Sequence, residues 1–249
     1  MTRHPVIIAA LACVAVSMPR VSSCAETEAA DVTIGPCERA EARLVATKEI
    51  EISYGEDATS PGFAPAGDER EARGPNAIEV DDDGTIRLSD SLRRTVFSVR
   101  AHPSGRPSIS VLGDLPPRPV PSSGGVPTAT RVVKTSGEDG AIVFSDDGVE
   151  RRVAVETGRP LASIRLLGVD RRGRAFVVVE TFRERGRTAL DREVLVVEKS
   201  GALAARAALT IPPPIVPPLT DMYLTKNGVL YVLSTGTDGA RVVRFEVRP

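Results

Sequence analysis

Beyond an apolar N-terminal segment the chain carries a single histidine, His102, in the turn sequence His102-Pro103-Ser104-Gly105. One imidazole cannot build a multi-histidine metal centre, and a Ser-His-Asp triad would need partners that the surrounding residues do not offer. His102 reads more simply as an exposed turn residue than as a general base. Asp81-Asp82-Asp83-Gly84 supplies carboxylates, but without the alternating oxygen ligands and distal glutamate of a calcium loop it reads as a hairpin turn. No inward-placed set of Glu, Asn and Asp residues is identifiable, so no catalytic, cofactor-binding or metal-ligating residue is assigned.

Three further groups have chemistry to weigh. Arg151-Arg152, Arg171-Arg172-Arg174 (around Gly173) and Arg183, Arg185 and Arg187 are able to hold anionic glycans or phosphates through bidentate bonds, or to be the wet ends of strands and loops. Of the three cysteines, Cys13 lies in the apolar N-terminal segment, and neither Cys24 nor Cys37 neighbours a histidine, which disfavours a catalytic thiol. Cys24 and Cys37 would form a disulfide if both persisted in an oxidising compartment; otherwise Cys37 stands alone. Pro212-Pro213-Pro214 and Pro217-Pro218 read as a rigid connector in preference to a ligand for a proline-reading domain.

The elements that would carry these residues recur. A strand, glycine, strand pattern returns about every 45 residues, the period of a four-stranded propeller blade. One series turns at Gly84, Gly173 and Gly228, and a second at Gly105, Gly148 and Gly201, with spacings of 43 and 53 residues in the second. Glycine supplies the positive φ of a tight turn, and the flanking apolar residues supply the strands. The longer gap coincides with the polar stretch 183–192, read as an inserted loop. In the middle repeat the inner turn would fall near Gly124 and Gly125, inside a proline-rich stretch that disfavours a ladder, so one blade is expected to be degenerate. Ala175 to Val179 and Val194 to Val197 are continuous apolar runs, which demand cover on both faces.

The last repeat, after strands near 221–225, 229–234 and 240–247, ends one strand short. The β-rich segment Arg43 to Ser53 is the natural donor of the missing strand and would remove an exposed edge, either closing a ring or capping an open stack. The fold class expected is all-β and β-propeller-like, with about four to five four-stranded blades.

The stretch Gly74 to Phe97, with Gly74-Pro75, an apolar run, Asp81-Asp82-Asp83-Gly84, a strand, Asp90 and Arg93-Arg94, resembles an NHL-type propeller repeat, with Leu92 where that pattern has Asn. Residues 162–180 and 221–245 are similar to uncharacterised secreted bacterial propeller-like proteins. The resemblance implies a propeller fold and export, and carries no catalytic residues with it.

Composition suits one globular body, with 41% hydrophobic and 26% charged residues, but only 4% aromatics and no Trp, so Val, Leu, Ile and Ala must fill the core. Arg3, the apolar run Val6 to Val16 and the small residues before Ala25 describe a secretory leader over 1–25. Val21-Ser22-Ser23-Cys24 also fits a bacterial lipoprotein signal with Cys24 lipidated; the alternative is cleavage after Ala25. Residues 25–90 hold 17 acidic and 6 basic side chains, net −11, against 24 basic and 16 acidic over 91–249, net +8. The segment 26–41 is read as a solvated acidic linker, although it could lie against the basic part, and 42–249 as the propeller-like domain. The near-neutral charge and the lack of aromatic interleaving disfavour nucleic acid.

Two function classes remain. One is an exported, noncatalytic binding or scaffold module, expected to be a monomer in a bacterial envelope or outside it, presenting a protein- or glycan-binding surface on its loops, with membrane contact only through lipid on Cys24. The other is a metal-dependent propeller hydrolase or lactonase with a carboxylate-lined axial site.

Overall fold

A computed structural model describes residues 32–68, 70–102, 106–115, 130–134, 139–146, 149–183, 189–211 and 215–249. These form strands and, among the described residues, no helix. In chain order the strands are β1 (Val32–Ile34), β2 (Ala42–Ser53), β3 (Pro75–Val80), β4 (Ile86–Asp90), β5 (Thr95–Arg100), β6 (Ser108–Asp114), β7 (Arg131–Lys134) and β8 (Asp139–Asp146). They continue with β9 (Val149–Glu156), β10 (Leu161–Val169), β11 (Ala175–Phe182), β12 (Leu190–Val197), β13 (Leu203–Ala208), β14 (Met222–Leu224), β15 (Leu230–Thr235) and β16 (Gly239–Arg248).

Four up-and-down units result. The first is β3-β4-β5-β6 and the third β10-β11-β12-β13, each built from consecutive strands. The second has three strands of its own, β7-β8-β9, with β1 added in parallel to β9. The fourth, β14-β15-β16, is completed by β2, antiparallel to β16 over ten residue pairs from Gly239↔Ser53 to Arg248↔Arg43. The third and fourth units merge into one eight-stranded sheet through a short parallel contact of β13 with β2, at Ala205↔Ala42 and Arg206↔Arg43.

The tight turns follow the glycines. Gly84, Gly173, Gly201 and Gly228 have φ of +83°, +80°, +93° and +77°, and each donates its N–H to the carbonyl three residues earlier. That is a type I turn followed by a left-handed residue, the three-residue hairpin loop that needs glycine at its third position. Gly105 and Gly148 lie outside the described residues.

Three apolar seams join the units in the order second, third, fourth, first. Ile34, Ile142, Val153, Val177 and Leu195 fill the seam between second and third; Phe176, Val178, Val196, Met222 and Phe245 fill that between third and fourth; Ile52, Ile78, Leu88, Phe97 and Leu233 fill that between fourth and first. The continuous runs of β11 and β12 therefore bury alternate residues into two different seams, which is why neither alternates in polarity.

Four expectations are corrected. Val32–Ile34, inside the segment read as a solvated linker, is a strand whose Ile34 is fully buried. Leu190, Asp191 and Arg192, read as loop, open β12, because they pair with Phe182, Thr181 and Glu180. The connection of β8 to β9 spans Gly148, so this glycine falls between the second and third strands of its unit and is not the counterpart of Gly105 and Gly201. The inner hairpin of the second unit is β7 with β8, after the stretch holding Gly124 and Gly125, which lies outside the described residues. The 43-residue spacing thus compared unlike turns, since the second unit takes its fourth strand from the N-terminal segment.

Candidate functional site

The first hairpins of the first, third and fourth units end side by side. Lys226 Nζ, in the turn of the fourth unit, donates to Asp82 Oδ2 of the first at 3.1 Å, and the Lys226 carbonyl accepts from the Arg171 N–H of the third at 2.9 Å. Beneath this junction Asp170 and Arg174 form a buried pair: Arg174 Nε donates to Asp170 Oδ2 at 2.8 Å, while Asp170 Oδ1 accepts from the Arg172 and Arg174 N–H groups. The Arg174 guanidinium also stands 5.9 Å from the centroid of the Phe176 ring. Of the arginines read as wet strand ends here, Arg171 and Arg172 are exposed, but Arg174 is buried because the Asp170 carboxylate is buried with it.

Beside this junction, between the fourth and first units, opens a cleft of about 490 Å³. One wall is a row across three adjacent strands: Tyr231 on β15 stands in register with Arg244 on β16, which stands in register with Lys48 on β2. A bulge sets this row. Register shifts between Arg244 and Phe245, leaving Thr47 as the extra residue, with its hydroxyl donating to the Arg244 carbonyl at 3.3 Å. Along β2 the bulge moves the buried face from Leu44, which packs against the third unit, to Ile50 and Ile52, which pack against the first. Lys48 is thereby carried to the cleft side.

The opposite wall is the Asp83-Gly84-Thr85 turn with Arg100 at the end of β5. Arg100 Nε donates to Thr85 Oγ1 at 2.9 Å, and its Nη2 lies 3.4 Å from Asp83 Oδ2. The Thr85 backbone N–H, then its hydroxyl, and more weakly Arg100, hold the Asp83 carboxyl below the ordinary carboxylate range. Burial pushes the Tyr231 hydroxyl above its ordinary value against the opposing pull of Arg244, so it remains a neutral donor through physiological pH. The cleft is therefore lined by three cationic side chains and one carboxylate, Asp83, that is engaged in its own turn, and Arg244 is paired in addition with Glu246 at 2.5 Å.

At the far end of the inner strands a second polar group is ion-paired internally. Asp221, just before β14, receives Arg192 Nη2 at 2.5 Å and Arg165 Nη2 at 3.4 Å. Glu180 receives the Ser163 hydroxyl at 2.7 Å and lies 3.1 Å from Arg192 Nε. Two guanidinium groups and a hydroxyl thus occupy the carboxylate oxygens nearest the inner strands. Among the described residues, no group of three or more His, Cys, Asp and Glu side chains is placed to hold a metal ion.

The residues singled out from sequence do not converge. His102 is exposed two residues past Arg100. Asp81, Asp82 and Asp83 form the expected hairpin turn, paired respectively with Arg87, Lys226 and Arg100. Cys37 is an exposed free thiol, and Cys24 lies outside the described residues. Arg151 is exposed and donates to the Lys199 carbonyl, whereas Arg152 is half-buried. Arg183 pairs with Asp191 at the surface, and Arg185 and Arg187 lie outside the described residues. Lys48, Tyr231 and Arg244 were not singled out. The one local signal was the polar Lys48 preceding the apolar alternation of Ile50 and Ile52, and it gains meaning only once β2 lies beside β16.

No family model and no curated protein matches the chain. The crystal structure of a DUF4221-family member from Bacteroides vulgatus aligns with it at a TM-score of 0.37 and 8% sequence identity, covering 85% of this chain and 99% of the other.

Proposed function

We propose that this chain is an exported, noncatalytic binding module: a propeller of four four-stranded blades with NHL-like repeats, its second and fourth blades completed by N-terminal strands, binding its ligand in the cleft between the fourth and first units. The observation that carries the reading is the composition of that cleft. Its walls offer hydrogen-bond donors and fixed charge in Lys48, Arg100, Tyr231 and Arg244, while its carboxylate, Asp83, is held ionised by its own turn, where it serves poorly as a proton-transfer group at neutral pH. Convergent donors without a nucleophile and base pair suit recognition better than turnover. The engagement of Asp221 and Glu180 by arginines supports the same choice over a carboxylate-lined axial metal site. Export rests on the Arg3, Val6 to Val16 and Val21-Ser22-Ser23-Cys24 pattern.

The test is metal analysis of the purified mature protein together with turnover assays on lactones and phosphodiesters, with and without added divalent cations. The expected result is no stoichiometric ion and no turnover. A bound ion at one equivalent with metal-dependent hydrolysis would overturn the reading. Mass spectrometry of the mature protein from a bacterial host should place its start at Cys24 or just after Ala25.

A further inference from the structure

We infer that the cleft between the fourth and first units recognises an oxyanion, namely a carboxylate, sulfate or phosphate group carried by a small ligand; this rests on the binding reading above. Lys48 and Arg244 stand directly opposite on neighbouring antiparallel strands. Side chains so placed are close, and like charges in that position oppose one another. The Lys48 charge is not cancelled within the cleft. Lys48 has no ion-pair or hydrogen-bond partner among the described residues. Arg244 shares its charge with Glu246, Nη2 standing 2.5 Å from Oε1, so the uncompensated charge of the row is that of Lys48.

Arg100 faces them from the first unit, fastened by Thr85 so that its stem is oriented before anything binds. An oxyanion between these groups relieves the repulsion and gives the Lys48 ammonium an acceptor, and charge-assisted bonds of this kind are the strong ones. Tyr231 adds a neutral donor at the end of the row. The bulge at Thr47 also fits this purpose, because bulges re-aim side chains and Lys48 owes its side of the sheet to this one. The alternative is a pair of solvated cations on a groove rim. That alternative leaves the Lys48 ammonium opposite the Arg244 guanidinium with no counter-charge of its own.

The probes are sodium phosphate, sodium sulfate and glucuronate, with glucose as the neutral control, titrated by calorimetry into the mature protein at constant ionic strength set with chloride. At least one anion should bind saturably at one site, and which one binds tells the three sources apart. Lys48→Gln and Arg100→Gln, both at exposed side chains, should each weaken that binding about tenfold. Lys199→Gln, on the turn of the third unit, should leave it unchanged. Thermal midpoints equal to that of the parent certify that the variants fold. Absence of saturable anion binding, or binding indifferent to Lys48 and Arg100, overturns the inference. Saturable glucose binding that depends on Lys48 also overturns it, yet leaves the binding-module reading intact. Hydrolysis of the assay substrates defeats that reading and leaves a measured oxyanion site in place.

Discussion

Arg206 Nη1 donates to the carbonyl oxygen of Pro36 at 2.8 Å, joining residues 170 positions apart. The same nitrogen reaches the Gly35 and Glu38 carbonyls at 3.2 and 3.4 Å, so one guanidinium on β13 of the third unit holds the crossing between β1 and β2. The segment Val32 to Ser53 thus runs along three units in turn, pairing with β9, touching β13 and completing β16. At Gly201 an added Cβ would come within 3.0 Å of Val32, which shows how closely the third unit's last turn seats on β1.

Deleting the chain up to Glu38 should therefore destabilise the protein, contrary to the solvated-linker reading of that segment. The loss includes the full burial of Ile34, worth about 1.5 to 3 kcal/mol, and a fall in melting temperature of several degrees is expected. Deleting up to Ser53 removes β2, strips β16 of its ladder and exposes an apolar edge, and the product should aggregate. Thermal unfolding of both truncations beside the mature chain measures this; equal melting temperatures for all three would refute the lacing.

Val196 is fully buried between the third and fourth units, whereas Val149 at the start of β9 is 71% exposed. Val196→Ala should cost about 1 to 3 kcal/mol through lost burial and the cavity left behind. Val149→Ala should change stability by less than about 0.5 kcal/mol. Urea unfolding of the two variants gives the comparison, and equal losses would contradict the seam.

Arg174→Met leaves Asp170 buried without its partner and should cost about 3 to 5 kcal/mol. Asp170→Asn in the same chain should recover much of it, since the amide oxygen still accepts the Arg172 and Arg174 N–H groups. Gly228→Ala tests the same pocket from outside: its Cβ would fall 2.6 Å from Asp170 Oδ2 at a φ of +77°, so a loss exceeding about 1 kcal/mol is expected. A double-mutant cycle followed by chemical denaturation checks the coupling.

The Asp83 carboxyl should titrate below the value of about 3.9 seen for unstructured aspartate, as followed by carbon NMR. Because its folded value is lowered, its contribution to stability is present above the unfolded value and is lost as pH falls through the folded one. Asp83→Asn should flatten the acid limb of the stability curve. A midpoint at or above the unstructured value would refute the hydrogen-bonded turn.

Much of the scaffold is legible in contiguous residues. Asp81 to Gly84, Asp170 to Gly173 and Thr225 to Gly228 each encode a hairpin, because a left-handed residue at the turn strongly favours glycine, which has no Cβ to clash there. The runs Ala175 to Val179 and Val194 to Val197 announce two-sided burial by themselves. The orphan strand beginning at Arg43 was assignable to the last repeat by counting strands, and it pairs there.

What tertiary structure alone decided is where distant edges meet. Val32–Ile34 is too short and too polar in its surroundings to declare itself a strand, and it becomes one because β9 presents an open edge and a pocket for Ile34. The alternation of Leu44, Ala46, Lys48, Ile50 and Ile52 suggests one continuous face, whereas the bulge at Thr47 divides it between two seams. The cleft follows from that division, since Lys48 and Arg244 lie 196 residues apart in sequence and become neighbours only across the ladder. Turn geometry and burial are short-range demands that a few consecutive side chains can satisfy; pairing between strands depends on which edges the rest of the fold leaves unfilled.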